Sequence, residues 1–129
     1  MERAILRVLI FTRHTEVGLG LRTVLELANC GAVVTVVDSL YNAVEQARQE
    51  CPDVALVDLE MPDGEGYKTL HQLSRQFPGI HSIALTAHDY PSARSRAMEA
   101  GARTVIVKGL EYQEFVAAIQ AVAGNISET

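Results

Sequence analysis

Three residues able to do chemistry stand at the ends of apolar runs. Asp58 closes DVALVD, Thr86 closes IHSIALT and Lys108 closes RTVIVK. A carboxylate can attack as a nucleophile. An ammonium can stabilise negative charge on a bound group, and a hydroxyl can donate to one of its oxygens. An acyl-phosphate site needs these three functions, because phosphoryl transfer is mostly positioning plus charge neutralisation. By itself an aspartate in LVDLEMPDGEGY (56–67) is an ordinary turn residue. The information lies in the three residues together and in the elements that bring them together.

Short apolar runs alternate with longer amphipathic segments. ILRVLIF (5–11), AVVTVVD (32–38), DVALVD (53–58), IHSIALT (80–86) and RTVIVK (103–108) read as strands. Between them lie helical stripes. The first carries Val17, Leu21, Val24, Leu25 and Ala28, with Asn29 and Gly31 as C-terminal punctuation. The second has Ser39 as a cap before Leu40, Ala43, Val44 and Ala47. Leu70, Leu73 and Phe77 mark the third, stopped by Pro78-Gly79. The fourth is rich in small residues, with Ala93, Ala97 and Ala100, and ends near Gly101. The last carries Phe115, Ala118, Ile119 and Val122.

This alternation predicts an α/β fold, a parallel sheet with helices on both faces. The strands are continuously apolar, as expected when both faces are covered. One domain over 1–129 is expected, with a core of about 5–123 and a polar tail, 124–129, that frays. In such open sheets ligands sit at the carboxyl ends of the strands, where strand order reverses. The residues just past each run are therefore the ones to examine: Thr12, Arg13, Asp38, Asp58, Thr86 and Lys108.

Composition removes several functions. Of 129 residues 48% are hydrophobic, enough for a core. No apolar run approaches the roughly 20 residues of a membrane span. MERAILRVLIFTRH reads as a first strand and not as a signal peptide, so a cytoplasmic location is expected. A net charge of −5 argues against this domain gripping a phosphate backbone by itself. Cys30 and Cys51 lack metal spacing and read as buried or half-buried free thiols. His14, His71, His81 and His88 are scattered, with no helical metal spacing. Glu60 and Asp63 read as solvated turn residues, with Glu60 a weak second candidate, beside Asp58, for holding a metal.

From about Leu6 to Val122 the chain resembles a response-regulator receiver domain. The resemblance is carried by PDVALVDLEMPDGEGY around Asp58, IALTAHD around Thr86 and EAGARTVIVKG ending beyond Lys108. It implies a doubly wound, flavodoxin-like (βα)5 sandwich with strand order 2-1-3-4-5. It also implies that Asp58 is the phosphoacceptor, Thr86 the switch hydroxyl and Lys108 the phosphate-binding lysine. Ala87 is then the small residue that leaves room for the phosphoryl group. The implied partners are a histidine kinase, an output domain or a second copy, through the helix 4–strand 5–helix 5 face at about Pro91 to Val122. No enzyme activity is implied beyond self-phosphorylation of Asp58 from a phosphodonor.

The sequence departs from the family at the end of strand one. Receivers place two acids there to hold magnesium, and here the positions are Thr12 and Arg13. Magnesium favours carboxylate oxygens. Losing two and gaining a guanidinium changes the local charge by about three units. Magnesium is expected to bind weakly at most, and no other cofactor is expected. Arg13 is expected either to pair with Asp58 as a permanent counterion or to lie in solvent. The usual aromatic shortly before the lysine is Val105, too small and stiff to swing as a lever. The usual proline after it is Gly109, which permits a trans peptide. The expected function is a receiver-like module with degraded phosphorylation, acting by regulated protein contact. The alternative is a working phospho-receiver. A flavin- or cobalamin-binding domain of the same topology is more distant. Thr12-Arg13-His14-Thr15 lacks the glycine of a flavin phosphate loop, and Thr12 and Val17 replace the Asp and Gly of a cobalamin loop.

Overall fold

The strands form because both of their faces find cover. The computed structural model describes residues 6–28, 32–88, 90–109 and 112–128. Strands β1 (Arg7–Phe11), β2 (Val33–Val37), β3 (Val54–Asp58), β4 (His81–Thr86) and β5 (Thr104–Val107) pair in parallel in the order β2-β1-β3-β4-β5. The helices are α1 (Thr15–Ala28), α2 (Leu40–Glu50), α3 (Glu65–Gln76), α4 (Pro91–Ala100) and α5 (Tyr112–Glu128). Side chains alternate across the pleat. Val8, Ile10, Val54, Leu56, Ile83, Leu85 and Ile106 meet α1 and α5 through Leu25, Phe115, Ile119 and Val122. Leu9, Phe11, Ala55, Val57, Ala84 and Val105 meet the other layer through Ala43, Ala47, Leu70, Leu73 and Ala97. Burying one such Leu or Ile stabilises the fold by about 1.5–3 kcal/mol. The expected α/β sandwich and its strand order are what the chain adopts.

Helix signals resolve locally. Ser39 caps α2, its hydroxyl accepting from the Asn42 N–H at 3.1 Å. Pro91 starts α4, where a missing N–H costs nothing. The face of α1 is rotated from the expected stripe. Leu25 is fully buried and Leu21 and Val24 are half-buried, but Val17 and Ala28 are exposed. Gly18 faces the sheet instead. A Cβ there would come within 2.7 Å of Val36 and 3.1 Å of Thr12, so the glycine lets α1 approach the end of β1.

Two further expectations are corrected. Cys51 is exposed, because it caps α2 in the left-handed region at φ 48°. Helix α5 runs through residues 124–128, ending at Glu128. The strands are each shorter at one or both ends than their apolar runs. Asn29, Cys30 and Gly31 lie outside the described residues.

Candidate functional site

The sheet ladder runs past the strands and fixes the backbone of the site. Thr12 donates its N–H to the Val37 carbonyl at 3.0 Å, Leu59 to Leu85 at 2.8 Å and Lys108 to Thr86 at 2.7 Å. These bonds hold the carboxyl edge of β1, β3 and β5 in register. Thr12, Asp58 and Thr86 are buried there, at 1%, 0% and 3% exposure.

Asp58 is fully engaged. Its Oδ1 accepts from Lys108 Nζ at 2.6 Å and from the Glu60 N–H at 2.9 Å. Its Oδ2 accepts from the Thr12 hydroxyl at 2.7 Å. Thr12 Oγ1 in turn accepts from the His14 N–H at 3.0 Å. A buried carboxylate needs such donors and a paired cation, or it would not be tolerated as a charge.

Lys108 bridges two carboxylates, lying 2.9 Å from Glu60 Oε1 as well as beside Asp58. Burial alone pushes the ammonium towards its neutral form. Hydrogen bonds and charge from Asp58 and Glu60 outweigh this and raise it above its ordinary value of 10.5. Glu60 shows the converse. Burial pushes its carboxyl up, but bonds from Lys108, Ala87 and Thr86, with the Lys108 charge, leave it below its ordinary 4.5.

Glu60 is thus no solvated turn residue. Its Oε1 also accepts from the Ala87 N–H at 2.8 Å, and its Oε2 accepts from the Thr86 hydroxyl at 3.0 Å. That hydroxyl lies 3.0 Å from the His88 carbonyl too, so its single proton serves one acceptor at a time. It accepts from the His88 N–H at 3.0 Å. Asp58, Thr86 and Lys108 therefore come together, with Thr12 and Ala87 beside them. Asp38 is exposed and Asp63 sits exposed in a left-handed turn, both outside the cluster.

Arg13 does not pair with Asp58. Its guanidinium meets Glu65 Oε1 at 2.8 Å, while Glu65 Oε2 accepts from the Leu40 N–H at 3.4 Å. Both Asp58 oxygens already have donors in Thr12, Lys108 and the Glu60 N–H, and the guanidinium pairs instead with the carboxylate at the start of α3. Val105 is buried on β5 beside Ala84, two residues before Thr86 on the same face. The described peptide bonds include no cis bond, and Gly109 has φ 91°. One signal for Glu60 was present in the sequence. Period-two alternation carried past Asp58 sets residue 60 on the same side.

Residues 8–120 match the family model described as the response regulator receiver domain. Transcriptional regulatory protein MctR of Rhizobium johnstonii is 32% identical over 124 residues, covering 96% of this chain and 58% of that protein. Response regulator GacA of Pseudomonas viridiflava is 32% identical over 117 residues, covering 91% and 55%. This chain spans about half the length of the curated relatives it matches. In fold it is similar to a CheY-like receiver domain protein of Methanospirillum hungatei, with a TM-score of 0.87, 22% identity and coverage of 97% and 98%. A LuxR-family two-component response regulator of Aurantimonas gives 0.83 at 27% identity, covering 94% and 87%. A family match across all five strands, on a sheet whose carboxyl edge carries this chemistry, means that the chain belongs to the response regulator receiver domain family.

Proposed function

We propose that this receiver is a signalling module of a two-component pathway whose magnesium-dependent phosphorylation is impaired. It acts through regulated contact with a protein partner. The observation that carries this reading is the state of Asp58. The carboxylate at the phosphoacceptor position is 0% exposed, and both oxygens are occupied by Thr12, Lys108 and a backbone N–H. An attacking oxygen must first be uncovered.

The donor set also fits magnesium poorly. The ion favours carboxylate oxygens in near-octahedral geometry. The end of β1 offers a hydroxyl already donating to Asp58 and a guanidinium. The two nearby carboxylates, Asp58 and Glu60, share the Lys108 ammonium. Among the described residues no three His, Cys, Asp or Glu side chains group as a metal set.

The partner is a histidine kinase, an output domain or a second copy, met through the α4–β5–α5 face in the cytoplasm. Among the described residues no helix is long and apolar enough to cross a membrane. A working phospho-receiver is the second reading, favoured by the retained Asp58–Lys108 contact at 2.6 Å. In it, an Asp58 oxygen would bond to phosphorus of acetyl phosphate while acetate leaves.

Intact mass after acetyl phosphate, with and without magnesium, tests the two. The expected result is no phosphoryl adduct on the chain in either condition. A Thr12→Asp/Arg13→Asp variant should gain one that needs magnesium and disappears on adding Asp58→Asn. An adduct on the unmodified chain that disappears with Asp58→Asn would overturn the first reading in favour of the second.

A further inference from the structure

Three donors, two from the end of β4 and one from the end of β5, converge on one carboxylate. The Thr86 hydroxyl, the Ala87 N–H and the Lys108 ammonium lie 3.0, 2.8 and 2.9 Å from the oxygens of Glu60. A hydroxyl, a backbone N–H and an ammonium aimed at one place suit the oxygens of a small tetrahedral oxyanion as well as those of a carboxylate. The place adjoins Asp58, because Lys108 touches both side chains.

The group that fills it is built to leave. Glu60 is pinned by its backbone N–H on Asp58 Oδ1, while its side chain is 32% exposed. Rotation of that side chain alone would vacate the place without moving the strand end. Nor does the layer beneath require an aromatic to be accommodated, since Val105 is already buried there.

We propose that Glu60 is a tethered occupant of the oxyanion site, its carboxylate standing where a phosphoryl group would stand. It holds Thr86 turned towards the site without covalent modification and excludes small oxyanions. This rests on reading Thr86, Ala87 and Lys108 as the phosphate-site donors. A tethered group competes at an effective concentration on the order of millimolar or more. A free oxyanion must exceed that to enter, and it also meets the negative charge of Glu60.

The test is a titration with inorganic phosphate, without phosphodonor or metal, reading the amide resonances of Thr86 and Ala87. The unmodified chain should show no saturable shift. Glu60→Ala and Glu60→Gln should bind phosphate about tenfold or more tighter than the unmodified chain. Adding Lys108→Met to either should abolish the binding. Two variants keep the test usable if one fails to fold. Equal binding by unmodified chain and variants would overturn the proposal, as would no binding by a folded variant. Because no phosphodonor is present, this outcome is independent of whether Asp58 accepts phosphate.

Discussion

Glu60 and Lys108 form a pH-sensitive couple. The folded protein holds Glu60 below its ordinary 4.5, so the unfolded chain binds more protons as pH falls. The stabilisation it brings is complete above that ordinary value and is lost as pH falls through the lower folded one. Lys108 is raised above 10.5, so its contribution is present below that value and is lost as pH rises through the folded one. Urea midpoints of the unmodified chain and Glu60→Gln should therefore differ near neutral pH and converge on acidification below 4.5. A gap that widened with acid would contradict the assignment. At this scale the sequence is unevenly legible. Asp58, Thr86 and Lys108 were legible because each ends an apolar run. The Glu60 contacts and the Arg13–Glu65 pair were not, because they depend on which side chain reaches a shared donor or acceptor first. Alternation past Asp58 gives the side on which Glu60 lies, but not which donors it meets.

Elements approach one another at the site through glycine. At the start of α3, Gly66 packs against the backbone of the end of β3, where a Cβ would overlap the Asp58 carbonyl oxygen and lie 3.0 Å from the Leu59 Cα. Neither neighbour is a flexible side chain, so neither can give way. Gly66→Ala should cost about 1–3 kcal/mol in denaturant unfolding, as overpacking does. It should also shift the amide resonances of Leu59 and Glu60. Gly79→Ala, with open space around it, is the control and should leave those resonances in place. Strands were legible at this scale because a continuous apolar run has little alternative once both faces are covered. The inner face of α1 was missed by one residue. Periodicity of large apolar side chains favours Val17, whereas the packing uses the absence of a side chain at Gly18.

Over the whole molecule, two apolar layers clamp one sheet, and the site sits at its carboxyl edge. Ile119 on α5 is fully buried against the α1 side, away from the Thr86 and Lys108 contacts with Glu60. Ile119→Ala should lower stability by about 2–5 kcal/mol. The phosphate-titration behaviour of the folded protein should remain unchanged, which separates support of the fold from the work of the site. The parallel sheet with both faces covered was legible in the β-α alternation, whereas its strand order came from the resemblance of the motifs around Asp58, Thr86 and Lys108 to the receiver family. The length of α5 was not legible, since its polar end carries no apolar stripe to extend.

The hydrogen bonds that carry the ladder beyond the strands, from Thr12, Leu59 and Lys108, have a consequence for how a message is stored. The floor of the site is as firmly tied as the sheet itself, while Glu60 above it is partly open to water. Two conditions of this protein can then differ by one side chain's posture on an unmoving base. A partner that tells them apart would be reading the direction of a few atoms at the rim, much as a finger feels a latch and not the door.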